Sequence, residues 1–102
     1  MTEQAEFGFW SGNVLLRQAM DEEDPDLIMK NLYAAGEHYR KALAAAPDEW
    51  DLKYNYELVQ YLITQQENEI KKEESKVKSL LERMRTVTEP GEKEPPPPEK
   101  RG

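Results

Sequence analysis

Cysteine is missing from this 102-residue chain, and histidine occurs once. Without cysteine there is neither a disulfide framework nor a thiolate metal site. That absence leaves the compartment open, because a helical domain needs no disulfide even where the surroundings are oxidising. His38 has no Ser or Cys partner in a recognisable motif, and a metal site needs further ligands. It reads as a surface or partly packed residue. Basic residues are in the minority, with 14 Lys and Arg against 21 Asp and Glu for a net charge of −7. This argues against binding to nucleic acid, where Lys and Arg must neutralise phosphate, and against anionic membrane surfaces. No run is apolar enough to span a bilayer. The N-terminal stretch lacks the basic region before an apolar segment that marks a signal peptide. Hydrophobic residues make up 37% and charged residues 34%, so one small domain with a small core is expected.

What is there is helical periodicity. Residues 1–6 are polar and read as a flexible end. Phe7, Trp10, Val14, Leu15 and Leu16 then recur at separations that place them on one helical face. The acidic run Asp21–Asp26 breaks this pattern. Within it Asp24 suits an N-cap and Pro25 the first helical position, where a missing N–H costs nothing. Oxygen ligands could also suggest Ca2+, but the run lacks the glycine and spacing of a known loop, and capping accounts for it better. A second helix is predicted from Pro25 to about Ala46. Its face is Ile28, Leu32, Ala35, Tyr39, Ala42 and Ala46, with Leu43 beside it and small residues at Ala35, Gly36 and Ala42 that allow close helix packing. Pro47 ends it, and Asp48 is the expected cap of a third helix.

No Gly or Pro interrupts residues 49–89. The first half of this third helix carries Trp50, Tyr54, Leu58, Tyr61 and Leu62, and most of the set Trp10, Trp50, Tyr54, Tyr56 and Tyr61 reads as core. Tyr54 and Tyr56 cannot both face inward, so one of them is exposed and available as an interface anchor. Beyond Gln65 the helix is mostly charged. Glu67–Lys71 and Glu74–Lys78 form favourable i, i+4 pairs. Ile63, Ile70, Val77 and Met84 repeat every seven residues like a coiled-coil seam, though the complementary column Gln66, Glu73 and Leu80 is mostly polar. At 1.5 Å per residue the helix would be roughly 57 Å long, more than a two-hairpin domain covers, so its end is expected to project. Residues 89–102 read as a disordered Pro-rich tail, polyproline II at Pro95–Pro98. Pro95, Pro98 and Lys100 match a loose SH3-ligand pattern that is common in linkers. The organisation expected is therefore a flexible end (1–6), a helical domain (7–64), a charged helix (65–88) and the tail (89–102).

Tyr39, Ala42, Leu43 and Pro47 stand at the spacing Y-x-x-A-L-x-x-x-P, and Tyr54-Asn55-Tyr56 follows. This order resembles a tetratricopeptide (TPR) repeat and the first helix of the next. Gly12 takes the small-residue position of the first helix, and the DEEDPD segment lengthens the hairpin beyond the usual repeat. Glu57 stands where the general repeat has glycine. A closer resemblance is to the MxaK-type small proteins encoded with MoxR-type AAA+ ATPases and von Willebrand factor A (VWA) domain proteins. Their segments G-N-x-L-R-x-A, H-Y-R-x-A-L and P-D-x-W-D-A-x-Y-N-L-E are similar to Gly12-Asn13 with Leu16-Arg17-Gln18-Ala19, His38–Leu43, and Pro47–Asp51 with Tyr54–Glu57. In that group Glu57 is the expected residue. The match covers roughly residues 8 to 62.

The resemblance implies an all-α, TPR-like helical hairpin followed by a long third helix. It implies a non-enzymatic adaptor without cofactor or metal, serving a bacterial enzyme maturation or assembly complex. Its protein partners would be a VWA-domain protein and, through it, a MoxR-type ATPase. The location would be periplasmic or membrane-associated, with the cytoplasm also open. Asn13, Asn55, Tyr56 and Arg17 are the partner-binding candidates, because asparagines on the first helices of such repeats hydrogen-bond the backbone of a bound peptide. An amide suits that work, since it donates and accepts at once. The plainer alternative is that Asn55 braces the turn between helices and Asn13 is simply exposed. The second functional reading is a structural or assembly protein working as a coiled coil through the charged helix.

Overall fold

The computed structural model describes residues 1–88, with side chains described through residue 84. The tail expected at 89–102, with its proline pattern, lies outside the described residues. Three helices follow one another: α1 (Glu3–Asp21), α2 (Pro25–Ala45) and α3 (Trp50–Thr88). The protein is all-α, with an α1–α2 hairpin and a long third helix. Its contacts divide it into two units, Met1–Asn68 and a second that begins at Glu69.

In the first unit, α1 begins four residues before the apolar pattern does. Thr2 is its N-cap, and the hydroxyl oxygen accepts from the Ala5 amide at 3.1 Å. Ala5 is fully buried, so the stretch 1–6, expected from its polarity to be flexible, supplies the first helical turn. The acidic loop acts through its side chains, as capping predicts. Glu22 Oε2 accepts from the amides of Glu23 and Asp24, and Asp24 Oδ1 accepts from the Asp26 amide at 2.9 Å with Pro25 in the first turn. At the α2–α3 turn the cap sits one residue later than Asp48. Glu49 donates its amide to the Ala46 carbonyl, and its own carbonyl accepts from the Lys53 amide at 3.1 Å.

The core lies on both sides of α2. Leu32, Ala35, Gly36, Tyr39 and Ala42 are buried, with Ile28, Leu43 and Ala46 packed beside them, which is the face expected for α2. The other two faces differ from expectation. On α1 the buried residues are Ala5, Gly8, Gly12 and Ala19, with Phe9, Leu15 and Leu16 partly buried. Phe7, Trp10 and Val14 are more than half exposed. On α3 the buried residues are Leu52, Val59 and Ile63, with Tyr56 and Leu62 packed alongside, while Trp50, Tyr54 and Tyr61 are exposed. The expectation that most of the large aromatics form the core is thus corrected. Each of these helices carries two apolar faces at helical spacing. α2 accepts the flatter one, because its own small residues let backbones approach closely where an indole or phenol would hold them apart.

The contacts also fix direction. Gly8 lies against His38 and Ala42, and Gly12 against the Tyr39 ring, so α1 and α2 run antiparallel. Gly36 lies against Val59 and Gln60, and the Tyr33 hydroxyl donates to Glu67 Oε2 at 2.7 Å, so α2 and the N-terminal part of α3 are antiparallel too.

In the second unit the described residues continue α3. Lys72 pairs with Glu69 at 3.9 Å and Lys76 with Glu73 at 3.8 Å, three residues apart rather than the four expected of Glu67–Lys71 and Glu74–Lys78. These pairs are exposed and contribute little to stability. Val77, Leu80 and Leu81 are each more than half exposed.

Candidate partner-binding groove

Two consequences of this packing build the site. First, α2 seats α1 and the start of α3 side by side, so their outer edges border a shared groove. Second, fully buried Tyr39 reaches past Gly12 to Asn13, which lines that groove. A Cβ on Gly12 would stand 2.7 Å from Tyr39 Cδ1 and 2.8 Å from Cζ. The glycine is therefore what admits the ring.

At the end of the ring three polar groups meet. The Tyr39 hydroxyl donates to Asn13 Oδ1. Asn55 Nδ2 donates to the same oxygen at 3.0 Å. Burial pushes the Tyr39 phenol above its ordinary value of 10.0, and the neighbouring Asn55 amide pulls it the other way. Asn55 thus bonds across to α1 and not to the turn before α3 that it was expected to brace, and it also lines the groove.

The groove, of about 710 Å³, is lined by Asn13, Arg17 and Asn55 together with Trp10, Val14 and Asp21. Three of the four partner-binding candidates are thus brought together. Tyr56 is not; it is partly buried and packs against the core. Of the adjacent tyrosines it is Tyr54 that is exposed. Trp10 and Val14 are the groove residues that sequence reasoning assigned to the core instead. Their position one step round α1 from Asn13 and Arg17 was the available signal, outweighed by their size and apolarity. His38 is half-buried beside Phe7, edge to face with ring centroids 6.3 Å apart. Trp50 stands outside the groove with Lys53 Nζ 4.9 Å from its ring centre.

The groove offers amide donors and acceptors, one guanidinium, one carboxylate and an indole face. No protein-family model, curated protein or solved structure matches the chain. Among the described residues the fold is that of a small, three-helix, all-α protein.

Proposed function

We propose that this chain is a non-enzymatic, TPR-like adaptor that holds a segment of a protein partner in the α1–α3 groove. The observation that carries this reading is the convergence of Asn13, Arg17 and Asn55 on one groove. Asn13 and Arg17 come from α1 and Asn55 from α3, and each was singled out by its place in a short motif. In a TPR-like arrangement, α1 and α3 are the first helices of successive repeats and α2 is the second helix between them. Following the resemblance to MxaK-type proteins, the partner is a VWA-domain protein acting with a MoxR-type ATPase in enzyme maturation or assembly, and this chain serves as a scaffold.

The test is a pull-down from the native source with three baits: the wild-type chain, Asn55→Ala and Arg17→Glu. Recovery of a VWA-domain or AAA+ protein by the wild type, reduced by both variants, is the expected result. Arg17 is exposed on α1, so Arg17→Glu changes the groove without disturbing the core. Retention of the same partner by both variants would refute the groove as the binding surface.

A second reading has its own observation. Val77, Leu80 and Leu81 are exposed apolar residues in the second unit, as a self-associating helix would require. It predicts oligomers in analytical ultracentrifugation that Leu80→Lys converts to monomers. A monomeric wild type would dispose of it.

A further inference from the structure

Which atoms the groove asparagines present is decided inside the protein. Asn13 Oδ1 accepts from both the Tyr39 hydroxyl and Asn55 Nδ2. An amide oxygen has two lone pairs, so this one is filled by internal donors. Asn13 is left with its two N–H donors, and Asn55 with its carbonyl oxygen and its second N–H, for anything that enters the groove. Turning Asn13 over by itself would set its Nδ2 against Asn55 Nδ2, donor against donor, and leave the Tyr39 hydroxyl without its acceptor. The Tyr39 ring cannot swing aside, because it is 0% exposed and seated over Gly12.

We propose that Tyr39 is a positioning residue that fixes both amides, so that the groove presents donors from Asn13 and an acceptor from Asn55 and takes internal, uncharged main chain in preference to a terminal carboxylate. This rests on the groove being the binding surface and names the class of segment it holds. Extended main chain offers C=O and N–H groups in alternation and so answers both asparagines. A carboxylate offers acceptors only, which suits the amide N–H groups but leaves the Asn55 oxygen facing an acceptor. The charged residues lining the groove, Arg17 and Asp21, are one of each sign, and the chain's net charge of −7 adds no general attraction for an anion.

Two measurements test this on the full chain. The first is side-chain amide NMR. One Asn55 amide proton is expected to exchange slowly in the wild type and quickly in Tyr39→Phe, with both Asn13 amide protons fast in each. The reverse pattern, Asn13 protected and Asn55 fast, overturns the orientation. The second uses peptides selected from a random phage-displayed library, synthesised as C-terminal acids and as C-terminal amides. Both forms are expected to bind the wild type within about threefold of each other, and Asn55→Ala to weaken both by about tenfold. Tyr39→Phe is expected to weaken the amide form more than the acid form. A tenfold preference for the acid, still dependent on Asn55, overturns the proposal alone. Binding indifferent to Asn55→Ala overturns the groove reading and the proposal with it.

Discussion

Gly12 has room for a hydrogen atom and nothing larger, and this makes it a sharper test of the packing than any large residue in the chain. In a free helix Gly→Ala would stabilise by about 1 kcal/mol. Here the new methyl meets the buried Tyr39 ring, and overpacking of that kind costs about 1–3 kcal/mol. Gly12→Ala is therefore expected to lower the urea midpoint. At Gly36 the nearest atoms to an added Cβ are Gln60 Nε2 at 3.3 Å and Val59 Cγ1 at 3.4 Å. The Gln60 side chain can move, so Gly36→Ala should keep part of the helical gain and be neutral to stabilising by up to about 1 kcal/mol. Equal effects of the two substitutions would contradict the close approach of α1 to Tyr39. Tyr39 itself ties stability to pH. Its folded value is raised above 10.0 by burial, so its neutral form is the one the fold favours. That contribution is complete below pH 10 and is lost as pH rises through the folded value. Thermal melts should be flat from pH 7 to 9 as far as this group is concerned and then fall above 10. In an ultraviolet titration the step that disappears in Tyr39→Phe should lie above the ordinary value of 10.0, and a step at or below that value would count against its burial.

At the scale of the element, the helix boundaries follow from local chemistry. Asp24 and Pro25 start α2, and Asp24→Ala should cost about 1 kcal/mol, read as a lower melting midpoint by circular dichroism with the helical signal retained at low temperature. No change would mean that another group caps the helix. These features were legible because a cap depends on a few neighbouring residues. The packed face of α2 was legible too, because its apolar residues form one stripe. The faces of α1 and α3 were not. Phe7, Trp10 and Val14 share a periodicity with Ala5, Gly8, Gly12 and Ala19, and Trp50, Tyr54 and Tyr61 compete likewise with Leu52, Val59 and Ile63. Hydrophobicity favours the aromatic stripe in each case. The narrow space beside α2 selects the other, since interior packing depends on shape as well as on apolarity.

For the first unit as a whole, the outcome is a small core surrounded by exposed aromatics. So small a chain has much surface for its volume, and large side chains held outside a core are suited to partner contacts. Trp10 and Trp50 are 63% and 76% exposed. Both should therefore emit as solvated indoles and be quenched readily by acrylamide in the folded protein. Only Trp10 lines the groove, so occupation of the groove should protect it in Trp50→Phe and leave Trp50 unprotected in Trp10→Phe. Protection of Trp50 instead would place the partner on another surface. Part of the proposed site was visible in the motifs, since Asn13, Arg17 and Asn55 stand in short segments with a stated resemblance. Trp10 and Val14, and the exclusion of Tyr56, depend on the rotation of each helix about its axis.

The sequence by itself determined the all-α class, the three helices, the acidic hairpin loop and the inward face of α2. All of these rest on interactions within a few residues or on a single periodic stripe. The tertiary structure alone decided which faces of α1 and α3 turn inward and which aromatics stay outside. It also decided that one oxygen of Asn13 gathers donors from the other two helices. Those outcomes depend on fitting one helix's side chains into the space left by another's, and that fit is a property of residues far apart in the chain.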